Sequence, residues 1–126
     1  MFEENHNKTR VLVVDDEPGI CNILRIKLKL SGFNVESTTS GAAAIELIRS
    51  REPDVVLLDI LMPDVTGMDV LERVRSFSQV PIIIFTARDD IASFATQMGA
   101  NGFISKPFDP DQLVNKIKSV IGNTPA

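Results

Sequence analysis

The sequence predicts a doubly wound α/β domain made of five βα units. Three observations lead there. Five short apolar runs recur along the chain: Val11–Val14, Phe33–Val35, Val55–Leu58, Ile82–Phe85 and Phe103–Ile104. Four are rich in β-branched residues and three are continuous rather than alternating, which suits strands covered on both faces of a parallel sheet. The stretches between them repeat apolar residues with helical period. Five strand–helix pairs in about 115 residues imply parallel strands with right-handed crossovers.

The elements follow in order. Met1–Thr9 is polar and reads as a mobile tail ahead of the first strand. After that strand, Ile20, Leu24 and Leu28 recur every four residues with Ile23 beside them, and Ser31-Gly32 stops the helix. Phe33–Val35 is the second strand. Ser40 is a candidate N-cap for a helix that gathers Ala44, Ile45, Leu47 and Ile48 near one side. Val55–Leu58 is the third strand. Thr66 followed by Asp69 is a variant capping box opening the third helix. Ile82–Phe85 precedes a fourth helix with Ile91, Phe94, Ala95 and Met98 at i, i+3, i+4, i+7 spacing, ended by Gly99. Phe103–Ile104 precedes a fifth, from about Pro110, with Leu113, Val114, Ile117 and Ile121 as its stripe. The expected organisation is a tail over 1–9, one domain over 10–122, and a fraying end or linker stub over 123–126.

Composition narrows the class. One domain's worth of chain, 126 residues with 44% hydrophobic and 24% charged, argues against disorder. No apolar run approaches the roughly 20 residues of a membrane span, and no signal peptide is visible, so no membrane association is expected. The single cysteine, Cys21, excludes an internal disulfide and fits a cytoplasmic setting. A net charge of −4 disfavours direct nucleic-acid binding by this chain.

In open parallel sheets, ligands sit beyond the carboxyl ends of the strands. The first polar residues there, or nearly the first, are Asp15, Asp16 and Glu17 after the first strand, Asp59 after the third, Thr86 after the fourth, and Lys106 with Pro107 after the fifth. Crowded carboxylates either rise in pKa or share a cation. A hard cation with oxygen ligands, Mg²⁺ above all, suits them, and a lysine and a hydroxyl suit a phosphoryl group. The residues therefore describe a Mg²⁺-dependent phosphoryl site with an aspartate nucleophile.

The segments VLVVDDE (Val11–Glu17), VVLLDILMPDVTG (Val55–Gly67), PIIIFTA (Pro81–Ala87) and GANGFISKPF (Gly99–Phe108) together resemble a response-regulator receiver domain, of the chemotaxis type used in two-component signalling. The resemblance implies a flavodoxin-like (βα)5 fold, its five-stranded sheet in the order 2-1-3-4-5 with helices on both faces. It implies that Asp59 takes a phosphoryl group from the phosphohistidine of a sensor histidine kinase. It makes Asp16 a direct Mg²⁺ ligand, Asp15 a ligand mainly through water, and Asp59 and the Leu61 carbonyl further ligands. Lys106 is to pair with phosphoryl oxygens, with a cis peptide before Pro107, and Ala87 is structural. Thr86 and Phe103 are the switch pair: Thr86 donates to the phosphoryl group and Phe103, where relatives commonly carry Tyr, turns into the vacated space. The output is a changed surface around the fourth helix, fifth strand and fifth helix. Leu61 and Arg88 flank the phosphate and are expected to slow its loss. Such a protein is a switch rather than a metabolic enzyme, catalysing only its own phosphorylation and dephosphorylation.

Two departures stand out. Arg88 to Gly99 is about two residues shorter than is usual in the family, so the fourth helix or the loop before it is trimmed. The familiar GADD reads GANG, Gly99–Gly102, which removes the acids of one class's symmetric fourth-helix dimer; a homodimer of another kind stays open. Glu17 is read chiefly as the start of the first helix, Cys21 as a small core residue, His6 as a tail residue without a role, and Met62-Pro63 as a turn supporting the Asp59 loop. Lys27, Lys29, Lys116 and Lys118 are read as solvated, with a kinase contact open for the first pair. Three other functions compete. A pseudo-receiver is opposed by the full residue set. A haloacid-dehalogenase-type phosphatase would need DxD in place of Asp15-Asp16. A flavodoxin would need aromatic rings for a flavin, and the chain has neither Trp nor Tyr. The output domain and the cognate kinase are not legible.

Overall fold

A computed structural model describes residues 8–107 and 109–122. Most of the expected tail, with His6, lies outside the described residues, as do Phe108 and the expected end at 123–126. Five strands, β1 (Arg10–Val14), β2 (Asn34–Thr38), β3 (Val55–Asp59), β4 (Ile82–Thr86) and β5 (Gly102–Ser105), alternate with α1 (Pro18–Leu30), α2 (Gly41–Arg51), α3 (Gly67–Arg75), α4 (Asp89–Gln97) and α5 (Pro110–Gly122). All strand pairs are parallel, in the order β2-β1-β3-β4-β5. The fold is the predicted flavodoxin-like one. Gly122 is the last residue of α5.

Strand parity divides the core, because successive side chains leave a strand on opposite faces. Leu12, Val14, Val56, Leu58, Ile82 and Ile84 pack under α2, α3 and α4. Val11, Val13, Val55, Leu57, Ile83, Phe85 and Ile104 pack under α1 and α5. Burial on both faces accounts for the continuous apolar runs.

The helix ends follow local chemistry. Pro18 opens α1, where its missing N–H costs nothing. The Ser40 side chain accepts from Ala43 N–H (3.1 Å) at the start of α2. Thr66 and Asp69 form a reciprocal capping box at α3 (3.0 and 3.2 Å). At its other end α3 reaches across to the α4–β5 loop: the Arg75 guanidinium donates to Gly99 O (3.0 and 2.9 Å), Ser78 O (3.1 Å) and Asn101 Oδ1 (2.8 Å). Burial lowers the Arg75 pKa from its usual value.

Two expected stripe residues are corrected. Ile23 and Phe94 are 57% and 55% exposed. On α1, Cys21 takes the inward place instead of Ile23, packing with Leu24 and Leu28. On α4, buried Ala95 makes the contact with the core. On α5, Val120 joins Leu113 and Ile117, while Val114 and Ile121 are only half-buried.

Candidate functional site

The register of the sheet builds the site. Val14 pairs with Leu58, so the next residues, Asp15 and Asp59, leave adjacent strand ends on the side of Val13 and Leu57. Asp59 in turn pairs with Phe85, and Phe85 with Ile104, two residues before Lys106. The Lys106 side chain passes over the Phe85 ring, 4.7 Å from its centroid. Its Nζ donates to Asp15 Oδ2 at 3.1 Å and lies 3.7 Å from Asp59 Oδ1. One ammonium thus spans two carboxylates contributed by β1 and β3, where the strand order reverses. That is the crevice in which such sheets bind ligands.

Asp15 is fully buried and held from several sides. Its N–H donates to Thr38 O (3.2 Å), and its Oδ1 accepts from Glu17 N–H (2.9 Å). The Cys21 thiol donates to its carbonyl (3.3 Å). Ligand atoms of Asp15, Asp16 and Glu17 lie within 4.8 Å of one another. Glu17 is also the N-cap of α1, without a side-chain capping bond. Asp59 is 4% exposed and accepts from Leu61 N–H at 3.3 Å. Burial, then the Asp15 carboxylate, push its carboxyl up to about 6; Lys106 and the Leu61 N–H pull the other way, and Asp16 adds to the rise. This is an all-oxygen, anion-rich donor set short of positive charge, which fits a hard divalent cation.

The remaining predicted residues sit around this centre. Thr86 is buried at the end of β4, and its hydroxyl oxygen accepts from Arg88 N–H (3.1 Å). Leu61 is exposed beside Asp59. The Lys106-Pro107 peptide is cis. Ala87, Lys106 and Pro107 line an apolar cavity of about 420 Å³ against Ile20, Ile23 and Leu24. Phe103 is half-buried on β5, beside a groove shared with Gln112 and Lys116 of α5. The Arg88 guanidinium is engaged by Asp90.

Sequence reasoning missed Gly67. The first residue of α3 rests on the β3 end: its N–H donates to Ile60 O (3.0 Å), and a Cβ there would lie 2.2 Å from Asp59 O and 2.5 Å from Ile60 Cα. Its signal was the glycine directly after the Thr66 cap, where α3 begins. Cys21 was placed beside the stripe, and nothing local told that its thiol meets the Asp15 carbonyl.

The sequence pattern of the response regulator receiver domain matches residues 11–118. The chain belongs to that family. Receiver domains are the signalling switches of two-component regulatory systems. Among solved structures, this receiver resembles the Vibrio cholerae chemotaxis protein CheY4, with a TM-score of 0.84 and 30% identity over 90% of this chain and 98% of that one. It also resembles the Francisella response regulator 1452 receiver domain, with a TM-score of 0.88 and 26% identity over 94% and 100%. A curated relative from Guillardia theta, named "Probable transcriptional regulator ycf27", is 40% identical over 93% of this receiver and 47% of its own length. The transcriptional regulatory protein KdpE of Mycobacterium tuberculosis is 37% identical over 90% and 51%. The receiver therefore spans about half the length of these curated relatives. The chemotaxis-type expectation is met in part, since relatives of both kinds occur. No helix among the described residues is long and apolar enough to cross a membrane.

Proposed function

We propose that residues 10–122 form a phosphoacceptor receiver in which Asp59 takes a phosphoryl group from the phosphohistidine of a sensor histidine kinase in the cytoplasm. The observation that carries this is the Lys106 ammonium spanning the Asp15 and Asp59 carboxylates at the strand ends. With a pKa of about 6, Asp59 is mostly ionised near neutral pH and so can act as the nucleophile. A carboxylate oxygen of Asp59 attacks phosphorus, the P–N bond breaks, and the imidazole leaves with its electron pair. Lys106 is already at the place where negative charge gathers on the transferred oxygens. Asp15, Asp16, Asp59 and the Leu61 carbonyl would hold Mg²⁺, which when bound supplies positive charge against both the crowded carboxylates and the phosphoryl oxygens.

The acyl phosphate adds close to two charges and three strong acceptors. The Thr86 hydroxyl accepts from Arg88 N–H and keeps its own proton to donate. Its turn toward the phosphoryl group draws in the β4–α4 loop and makes room for Phe103, altering the surface of α4, β5 and α5. Charge-assisted hydrogen bonds are worth roughly 1.5–3 kcal/mol each. Reversing a 1:99 equilibrium takes about 5.5 kcal/mol, so two or three such contacts suffice. Water then returns Asp59 to the carboxylate and releases phosphate, with Leu61 and Arg88 slowing its approach. The transcriptional role in the relatives' names belongs to proteins about twice as long; the step proposed for this chain is the switch itself.

Mg²⁺-dependent labelling by acetyl phosphate, followed by intact mass, tests the proposal. The wild type should gain one phosphoryl group and Asp59→Ala none. Equal labelling of the two would reject Asp59 as acceptor.

A further inference from the structure

The β4–α4 loop carries an ion pair that the phosphotransfer step does not require. Only Ala87 separates Arg88 from Thr86, and Asp59 faces Phe85 in the register. Arg88 therefore stands just beyond the end of β4, the strand that neighbours Asp59, at the same edge of the sheet. The guanidinium is turned elsewhere. Its Nε and Nη2 donate to the two carboxylate oxygens of Asp90 at 3.1 and 2.8 Å, a two-point fork. Asp90 lies in the first turn of α4, where the helix dipole favours a carboxylate. The hydrogen bonds from Arg88 hold its carboxyl below the usual range. Both side chains are largely exposed, at 55% and 67%. An exposed pair of this kind shifts an equilibrium by only about 1.5- to 5-fold, so a phosphoryl group can compete for its cation.

We propose that Asp90 is a positioning residue for Arg88, holding the guanidinium in reserve in the resting protein and competing with the aspartyl phosphate for it. Asp90 thereby sets the fraction of time for which the phosphoryl group is screened from water. Hydrolysis joins a water oxygen to phosphorus and breaks the bond to the Asp59 oxygen, which leaves as carboxylate while phosphate departs. An arginine on the phosphoryl oxygens obstructs that approach. This inference rests on the reading of Asp59 as phosphoacceptor and of Arg88 as its shield.

Four proteins test it: wild type, Arg88→Ala, Asp90→Asn and the double variant. Each is charged with acetyl phosphate and Mg²⁺, freed of donor, and followed by intact mass. Arg88→Ala should lose phosphate faster than wild type. Asp90→Asn should lose it about 1.5- to 5-fold more slowly, Asp90→Glu should restore the faster rate, and Asp90→Asn should have no effect once Arg88 is alanine. A purely structural role at the start of α4 would act alike in both backgrounds, and that result overturns the inference. So does an unchanged or faster decay in Asp90→Asn when Arg88→Ala has altered the rate. A wild type that takes no phosphate overturns the Asp59 reading beneath it, and an Arg88→Ala decay equal to wild type overturns the Arg88 reading; either takes the inference with it, and each is distinguishable from failure at Asp90.

Discussion

Replacing Asp59 by asparagine should stabilise the metal-free protein. The Asp59 carboxyl is raised from the usual 3.8 to about 6, chiefly by burial and by the Asp15 carboxylate. The folded state therefore holds this proton more tightly than the unfolded chain does. Below about pH 3.8 both states are protonated and the group costs nothing. As pH rises toward 6 the unfolded chain ionises first, and above 6 the penalty on the fold is complete. Two units at 1.36 kcal/mol each make the penalty roughly 3 kcal/mol at pH 7.5, and about 1 kcal/mol at pH 4.5. Asparagine removes the charge and keeps an oxygen for Leu61 N–H. Urea unfolding in chelator should show the variant's midpoint higher by roughly 1–2 M at pH 7.5, given typical slopes, and by much less at pH 4.5. Added Mg²⁺ should narrow the gap by stabilising the wild type. Equal midpoints at pH 7.5, or the same gain at both pH values, would refute the electrostatic account.

Lys106→Met removes the cation that holds the Asp59 pKa down, so the Asp59 carboxyl resonance should titrate higher by on the order of one unit; an unmoved titration would contradict the 3.7 Å contact. Gly67→Ala drives a Cβ into the Asp59 carbonyl and should cost roughly 2–3 kcal/mol in urea unfolding while impairing phosphorylation; a midpoint equal to wild type would show that the loop yields. Leu61→Asn should speed phosphate loss several-fold in a donor-free decay assay, and an unchanged rate counts against Leu61 as a screen. Arg75→Met strips the donors from Gly99 O and Asn101 Oδ1, with an expected loss of about 1–3 kcal/mol and faster amide exchange at Asn101 and Gly102; unchanged exchange would mean that the strand pairing alone holds the loop.

Most of the site could be read from the chain because its residues are tied to strand ends. A strand buried on both faces announces itself as a continuous apolar run, and the first polar residue after it marks the sheet edge. Asp15, Asp59 and Thr86 stand out as candidates that way, and Lys106 one residue further on, after Ser105. The Thr66–Asp69 cap was equally legible, since both partners lie within one helical turn. What escaped depends mostly on partners distant in sequence. Ile23 and Phe94 satisfy helical spacing yet point outward, because periodicity gives a stripe and only the sheet decides which edge of the stripe is covered. Arg75 looks like any basic residue ending a helix until Gly99 and Asn101 arrive beneath it. Arg88 and Asp90 are two apart in sequence, but only the bend into α4 turns them toward each other.

The odd-numbered parity that brings Asp15 and Asp59 to one side has a consequence for how this chain can vary in length. A single residue added within β1 or β3 would flip its terminal aspartate to the opposite face of the sheet, beneath α2 and α3, and disconnect it from Lys106. The strands act as fixed-length rulers, whereas the helical returns between them have no such frame to keep. Insertions and deletions should therefore accumulate in stretches such as Arg88–Gly99 and be purged from the five pleated segments.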